Sequence, residues 1–163
     1  MELYILRHGI AVDRETSGYK KDSDRPLTPE GEDKMHQIAD AMRGMDLKFD
    51  LILSSPFTRA EQTANIVAGE LDEEVTFSDY LKPGGSALEL IGEINDEKPQ
   101  TVLLVGHEPD LSQLVSVLVS GNTDSGIELK KGGLCKLTTN KLVFGRCATL
   151  NWLLTPKQLR QLR

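Results

Sequence analysis

Leu3-Tyr4-Ile5-Leu6-Arg7-His8-Gly9 opens the chain with four apolar residues followed at once by a cation, an imidazole and a glycine. A short apolar run that breaks in this way predicts a buried strand ending at Arg7. Two later stretches repeat the arrangement. Asp50-Leu51-Ile52-Leu53 gives way to Ser54-Ser55-Pro56-Phe57-Thr58-Arg59, and Thr101-Val102-Leu103-Leu104-Val105 gives way to Gly106-His107.

Helical signals separate these strands. Thr28 is placed to cap a helix with Pro29 in its first turn, and Met35, Ile38, Met42 and Met45 follow at helical spacing towards a stop near Gly44. Ser55 as cap and Pro56 as first residue predict a second helix carrying Ala60, Thr63, Ala64 and Val67. Val75 to Phe77 suits a short strand, and Ser86-Ala87-Leu88-Glu89 matches a capping box for a helix over Ala87 to Asn95. Asp110 is placed to cap a helix through Leu111, Leu114, Val115 and Leu118, with Gly121 past its end. Strands over Leu134 to Thr138 and Thr149 to Leu154 come next, and Thr155-Pro156 opens a last short helix. Strand alternating with helix predicts an α/β fold, a three-layer α/β/α sandwich with a mostly parallel central sheet. The closing strand pair is expected to add an antiparallel element. No repeat or linker interrupts residues 1–163, which read as a single domain.

Bulk properties narrow the function. A formal net charge of −6 disfavours general nucleic-acid binding, although a few converging arginines can still make an anion site on an acidic body. The two cysteines, Cys135 and Cys147, show no CxxC spacing and read as buried reduced thiols. The longest apolar stretches, such as Leu114 to Val119, fall short of a membrane span. The acidic Met1-Glu2 followed at once by a strand is unlike a signal peptide, so a cytoplasmic location is expected. A monomer is the simplest expectation for the assembly.

In open α/β sheets ligands bind outside the carboxyl ends of the strands, which is where Arg7-His8-Gly9, Ser54 to Arg59 and Gly106-His107 all fall. Arg7 and Arg59 offer planar cationic forks that match phosphoryl oxygens, and Arg59 would stand in a helical first turn that itself favours an anion. An imidazole is a competent phosphoryl acceptor as well as a proton carrier. Clustered histidine and carboxylate would also suit a metal, but no HExxH-like spacing occurs, and neither metal nor cofactor is expected.

Leu6-Arg7-His8-Gly9, Ser54-Ser55-Pro56-x-x-Arg59-Ala60-x-Gln62-Thr63 and Val105-Gly106-His107 together resemble the histidine phosphatase superfamily, also called phosphoglycerate-mutase-like. The likeness extends through Arg25-Pro26-Leu27-Thr28-x-x-Gly31. The short length and Gly106-His107-Glu108-Pro109 are most similar to its small bacterial branch, the SixA-type phosphohistidine phosphatases. The resemblance implies His8 as a nucleophile that becomes a transient phosphohistidine. It implies Arg7, Arg59 and His107 as ligands of the phosphoryl oxygens, and Arg25 as a further phosphate or substrate contact.

Larger members of that superfamily carry an acid that protonates the leaving oxygen. Here the corresponding region, Asp79-Tyr80-Leu81-Lys82-Pro83-Gly84-Gly85, is brief, with Asp79 the nearest candidate and a solvated loop residue the simpler reading. An alkoxide needs such an acid more than the nitrogen of a phosphoramidate does. The expected substrate is therefore a phosphohistidine on a phosphotransfer protein of a signalling or phosphocarrier system. Two alternatives stand beside it: a small-molecule phosphomonoesterase and a non-catalytic phosphate-binding module. Glu108 reads as solvated, or else as orienting His107. His36 reads as a partly exposed structural residue, and Arg25 could instead pair with Asp22 or Asp24.

Overall fold

Register explains how three distant stretches meet. In the computed structural model, which describes residues 1–16 and 18–163, the strands β1 (Glu2–Arg7), β2 (Leu51–Ser54), β3 (Thr76–Phe77) and β4 (Thr101–Gly106) run parallel. Arg7 lies opposite Gly106 across β1 and β4, and Ser54 lies opposite Val105 across β2 and β4. One step further along each strand therefore brings His8, His107 and the Ser55-Pro56 turn to one level. Convergence is a property of the ladder.

The sheet has six strands in the order β3-β2-β4-β1-β5-β6. The last two, β5 (Leu134–Thr139) and β6 (Ala148–Leu154), form the expected antiparallel element, β5 against β1 and β6 against β5. Parallel strands need helical crossovers, and these cover both faces. The helices are α1 (Pro29–Gly44), α2 (Thr58–Leu71), α3 (Ala87–Glu97), α4 (Asp110–Ser120) and α5 (Pro156–Arg160).

Side chains alternate along the central strands, so each face has its own core. Leu3, Ile5, Val102 and Leu104 pack with Ile91, Ile94, Leu111, Val115 and Leu118 of α3 and α4. Tyr4, Leu6, Leu103 and Val105 pack with Met35, Ile38, Ala60, Ala64, Val67 and Leu159 of α1, α2 and α5. The layers are helix, sheet, helix, as expected. No helix among the described residues is long and apolar enough to cross a membrane.

Several local expectations hold and four need correction. Thr28 Oγ1 accepts from the Gly31 amide at 2.9 Å, and Thr155 with Gln158 forms a capping box. Ser55, however, does not cap α2, which begins two residues later after Phe57. Asp110 is the first residue of α4 rather than its cap, and its carboxylate accepts from the Gly84 amide at 2.7 Å. Glu108 is half-buried and does not bond His107: its carboxylate takes the Ser112 amide at 2.9 Å and the Ser112 hydroxyl, doing the capping assigned to Asp110. His36 is fully on the surface. Cys135 is buried, with its thiol pushed up to about 12 by desolvation, whereas Cys147 is only half-buried.

Candidate active site

His8 leaves β1 with its amide bonded to the Gly106 carbonyl at 3.1 Å. Its ring lies 2.7 Å, through Nδ1, from the Gly9 carbonyl. A carbonyl only accepts, so Nδ1 carries the proton and Nε2 keeps its lone pair. Arg59 Nε approaches that lone pair at 3.3 Å. Desolvation, followed by the nearby cations and His107, pushes the His8 pKa down to about 3, so the ring is neutral at physiological pH. A buried, neutral imidazole whose unprotonated Nε2 meets the Arg59 guanidinium has the chemistry of a phosphoryl acceptor.

The backbone beside it is held from both flanks. The Gly9 amide donates to Thr63 Oγ1 at 3.0 Å, and Thr63 donates to the Arg59 carbonyl at 2.8 Å, tying β1 to α2. Gln62 Oε1 accepts from the Leu27 amide at 2.7 Å, which joins the same helix to the Pro26-Leu27-Thr28 segment. A Cβ on Gly9 would stand 2.7 Å from Met35 Cγ, so only glycine admits the close pass of this turn over α1.

His107 faces His8 with ring centroids 5.2 Å apart. Its Nε2 lies 2.8 Å from Ser55 Oγ, which also accepts from the Phe57 amide at 3.2 Å. With that amide donating to Oγ, the serine hydrogen is free to turn towards Nε2. With Ser55 donating in this way, the proton of a neutral His107 sits on Nδ1. Nδ1 is buried and has no partner in the protein. Desolvation, then Arg59, pushes this imidazole too down to about 3.

Arg7 is anchored through NH1 to the Leu129 carbonyl at 3.1 Å, while its buried Nε also lacks a partner. Desolvation lowers its pKa and that of Arg59 from the ordinary arginine value. Of the three buried side-chain polar atoms without a partner among the described residues, two belong to Arg7 and His107. A buried polar nitrogen left unmatched is costly, and a bound oxyanion would satisfy the Arg7 Nε–H. No three histidine, cysteine or carboxylate side chains converge among the described residues in a way that could hold a metal.

The structure thus brings Arg7, His8, Arg59 and His107 together and leaves other candidates outside. Asp79 is 77% exposed and paired with Lys82 at 2.9 Å. Arg25 does not point free into the site: it holds Asp22 Oδ1 from Nε at 2.9 Å and NH2 at 2.7 Å, and the Val12 carbonyl from NH1 at 2.7 Å. Asp22 in turn reaches Arg59, which makes it a site residue that the sequence suggested only as a surface partner for Arg25. Its signal is the spacing Asp22-x-x-Arg25 in a single 3-10 turn. Ser55 was likewise legible only as a helix cap, and it proves to be the partner of His107.

Comparison with known proteins places the chain in a family. The sequence model of the histidine phosphatase superfamily (branch 1) matches residues 3–82, and the chain belongs to that superfamily. Within it the chain is 29% identical to the phosphohistidine phosphatase SixA of Escherichia coli K12 over 165 residues, spanning 98% of this chain and 97% of that protein. A solved structure of the protein histidine phosphatase SixA complexed with tungstate superposes with a TM-score of 0.84 at 28% identity, covering 98% and 99% of the two chains. An uncharacterised protein of Picosynechococcus is 40% identical over 141 residues, 84% of each chain.

Proposed function

We propose that the protein is a phosphohistidine phosphatase that acts through a covalent phospho-His8 intermediate. The observation that carries this reading is the pairing of a buried neutral His8, its Nε2 unprotonated beside Arg59, with buried and unpartnered nitrogens on Arg7 and His107. Nε2 of His8 attacks phosphorus and the bond from phosphorus to the substrate nitrogen breaks, its electron pair returning to the leaving imidazole. Water then attacks the phosphorus of phospho-His8, releasing inorganic phosphate and restoring the neutral ring. Arg7, Arg59 and the Nδ1–H of His107 neutralise the transferring oxygens in a desolvated setting, where such contacts count most. The likeness to SixA supports the same reading.

The carboxyl groups near the site support phosphohistidine over a phosphate ester. Asp79 faces solvent, Glu108 is bound to Ser112, and Asp22 is held ionised by arginines. Asp79 and Glu108 are thus engaged elsewhere, and Asp22, held below its ordinary range, is no proton donor for a departing alkoxide. Phosphohistidine protonated on its second ring nitrogen departs as neutral imidazole and needs no such donor. The partner that follows is a protein bearing a phosphorylated histidine, such as a histidine-containing phosphotransfer domain. The test compares turnover of a phosphohistidine protein with that of a sugar phosphate. The phosphoprotein is expected to be hydrolysed faster, and the reverse order would move the protein to the small-molecule phosphomonoesterases. Failure of His8 to label with acid-labile phosphate on any substrate would leave only a phosphate-binding module.

A further inference from the structure

A carboxylate placed against an arginine of a phosphate site calls for a reason, because it repels the dianion the site would bind. Asp22 stands there on a 3-10 turn (Asp22–Asp24), with its side chain 22% exposed against 5% for Arg59. Its backbone carbonyl accepts from Arg59 NH1 at 2.8 Å, and its Oδ2 accepts from Arg59 NH2 at 3.1 Å. The same guanidinium meets His8 Nε2 through Nε. Arg59 therefore spans from the nucleophile to the carboxylate, placing the two at opposite ends of one planar group.

The two carboxylate oxygens are unequally used. Oδ1 takes both Nε and NH2 of Arg25 and faces Arg14 Nε at 3.8 Å. Among the described residues, Oδ2 has Arg59 NH2 as its hydrogen-bond donor, leaving acceptor capacity for one more hydrogen. Partial burial works against the charge, but the hydrogen bonds and charges of Arg25 and Arg59 outweigh it and hold the carboxyl below its ordinary range. Asp22 at neutral pH is an acceptor and not an acid.

We infer that Asp22 selects the leaving group: its free Oδ2 lone pair receives the N–H on the second ring nitrogen of the departing imidazole. This rests on the phosphohistidine reading and gives the transfer a symmetrical form. His8 starts neutral with Nδ1–H on the Gly9 carbonyl and ends as a ring carrying phosphorus on Nε2 and the same Nδ1–H. The substrate ring starts with phosphorus on one nitrogen and a proton on the other, and it ends as neutral imidazole that keeps that N–H, hydrogen-bonded to Asp22 Oδ2. One carbon-to-nitrogen framework loses what the other gains, and no proton is created or consumed. A phosphate ester brings no such hydrogen and meets only the carboxylate's repulsion.

Kinetics with a phosphohistidine peptide and the same peptide methylated on its second ring nitrogen test the assignment. The wild-type protein is expected to prefer the unmethylated peptide by about tenfold to a hundredfold in kcat/KM, the range of one hydrogen bond to a charged group. Asp22→Ala should reduce that preference to about one, and Asp22→Asn, which keeps a neutral acceptor, should give an intermediate value. A preference that survives in Asp22→Ala, or an Asp22→Asn preference equal to wild type, would overturn the assignment. So would a wild-type protein that hydrolyses both peptides equally, while leaving the phosphohistidine reading intact. A wild-type protein that ignores both peptides but hydrolyses phosphate esters would instead remove the reading beneath it.

Discussion

At the scale of single residues, the site depends on where two imidazole protons sit. His8 has its tautomer set by the Gly9 carbonyl, and His107 carries its proton on Nδ1 when Ser55 donates to its Nε2. Replacing His8 by Gln should lower kcat by about a thousandfold or more and abolish acid-labile labelling, measured by single turnover. Unimpaired turnover would refute the nucleophile. Ser55→Ala makes a subtler case. Loss of the hydroxyl frees His107 Nε2 to carry the proton, so Nδ1 becomes an acceptor facing phosphoryl oxygens. The expected loss is about tenfold or more in kcat, with His8 still labelling, because a wrong tautomer weakens the transition state without removing the nucleophile. A labelling rate equal to wild type would show that Ser55 only shapes the turn.

At the scale of elements, most strands and helices were legible because hydrophobic periodicity and capping chemistry agree along the chain. The errors share one cause. Ser55 and Asp110 have the residue types of helix caps, but distant groups claim their side chains, His107 in one case and the Gly84 amide in the other. Glu108 was misread for the complementary reason, since glutamate is a rare cap and its bond to Ser112 spans a single turn. The pairing of Asp22 with Arg59 crosses 37 residues and has no local signature. The Arg25-to-Gly31 stretch shows how a motif becomes physical. Thr28 caps α1 while its amide donates to the Ile10 carbonyl at 2.9 Å, and a Cβ on Gly31 would fall 2.1 Å from that same oxygen. Thr28→Ala is expected to cost about 1 kcal/mol in urea unfolding. Gly31→Ala should cost more, about 1–3 kcal/mol, since the obstruction is backbone and the whole helix must shift. That shift also moves the loop carrying Asp22 and Arg25, so kcat/KM should fall with stability in Gly31→Ala and much less in Thr28→Ala. Equal effects of the two changes on activity would break the link between α1 and the site.

At the scale of the whole molecule, the fold gives up stability to keep both site histidines neutral. Each has a folded pKa near 3, against about 6.5 in an unfolded chain. Between those values the unfolded chain binds protons that the folded one refuses, so stability must fall as pH drops from about 7 towards 3. Above that window the two histidines add no slope. The depressed carboxyls of Glu2, Asp22 and Asp50 act lower, where their unfolded forms protonate near pH 4, so the decline between pH 7.5 and 5 belongs to the imidazoles. At pH 5 each contributes about 2 kcal/mol of lost stability, from 1.5 units at 1.36 kcal/mol each. Urea unfolding at the two pH values should show about twice that loss in the wild type and about half of it in His107→Gln. A wild-type stability that is flat across this interval would mean that the rings accept protons in place. That outcome would also put a proton on His8 Nε2 below about pH 6.5, where the ring can no longer attack phosphorus. The same measurement therefore tests the energetics of the fold and the state of its nucleophile. The acid sensitivity expected of this protein follows from burying a neutral imidazole among arginines, the arrangement that readies it for a phosphoryl group.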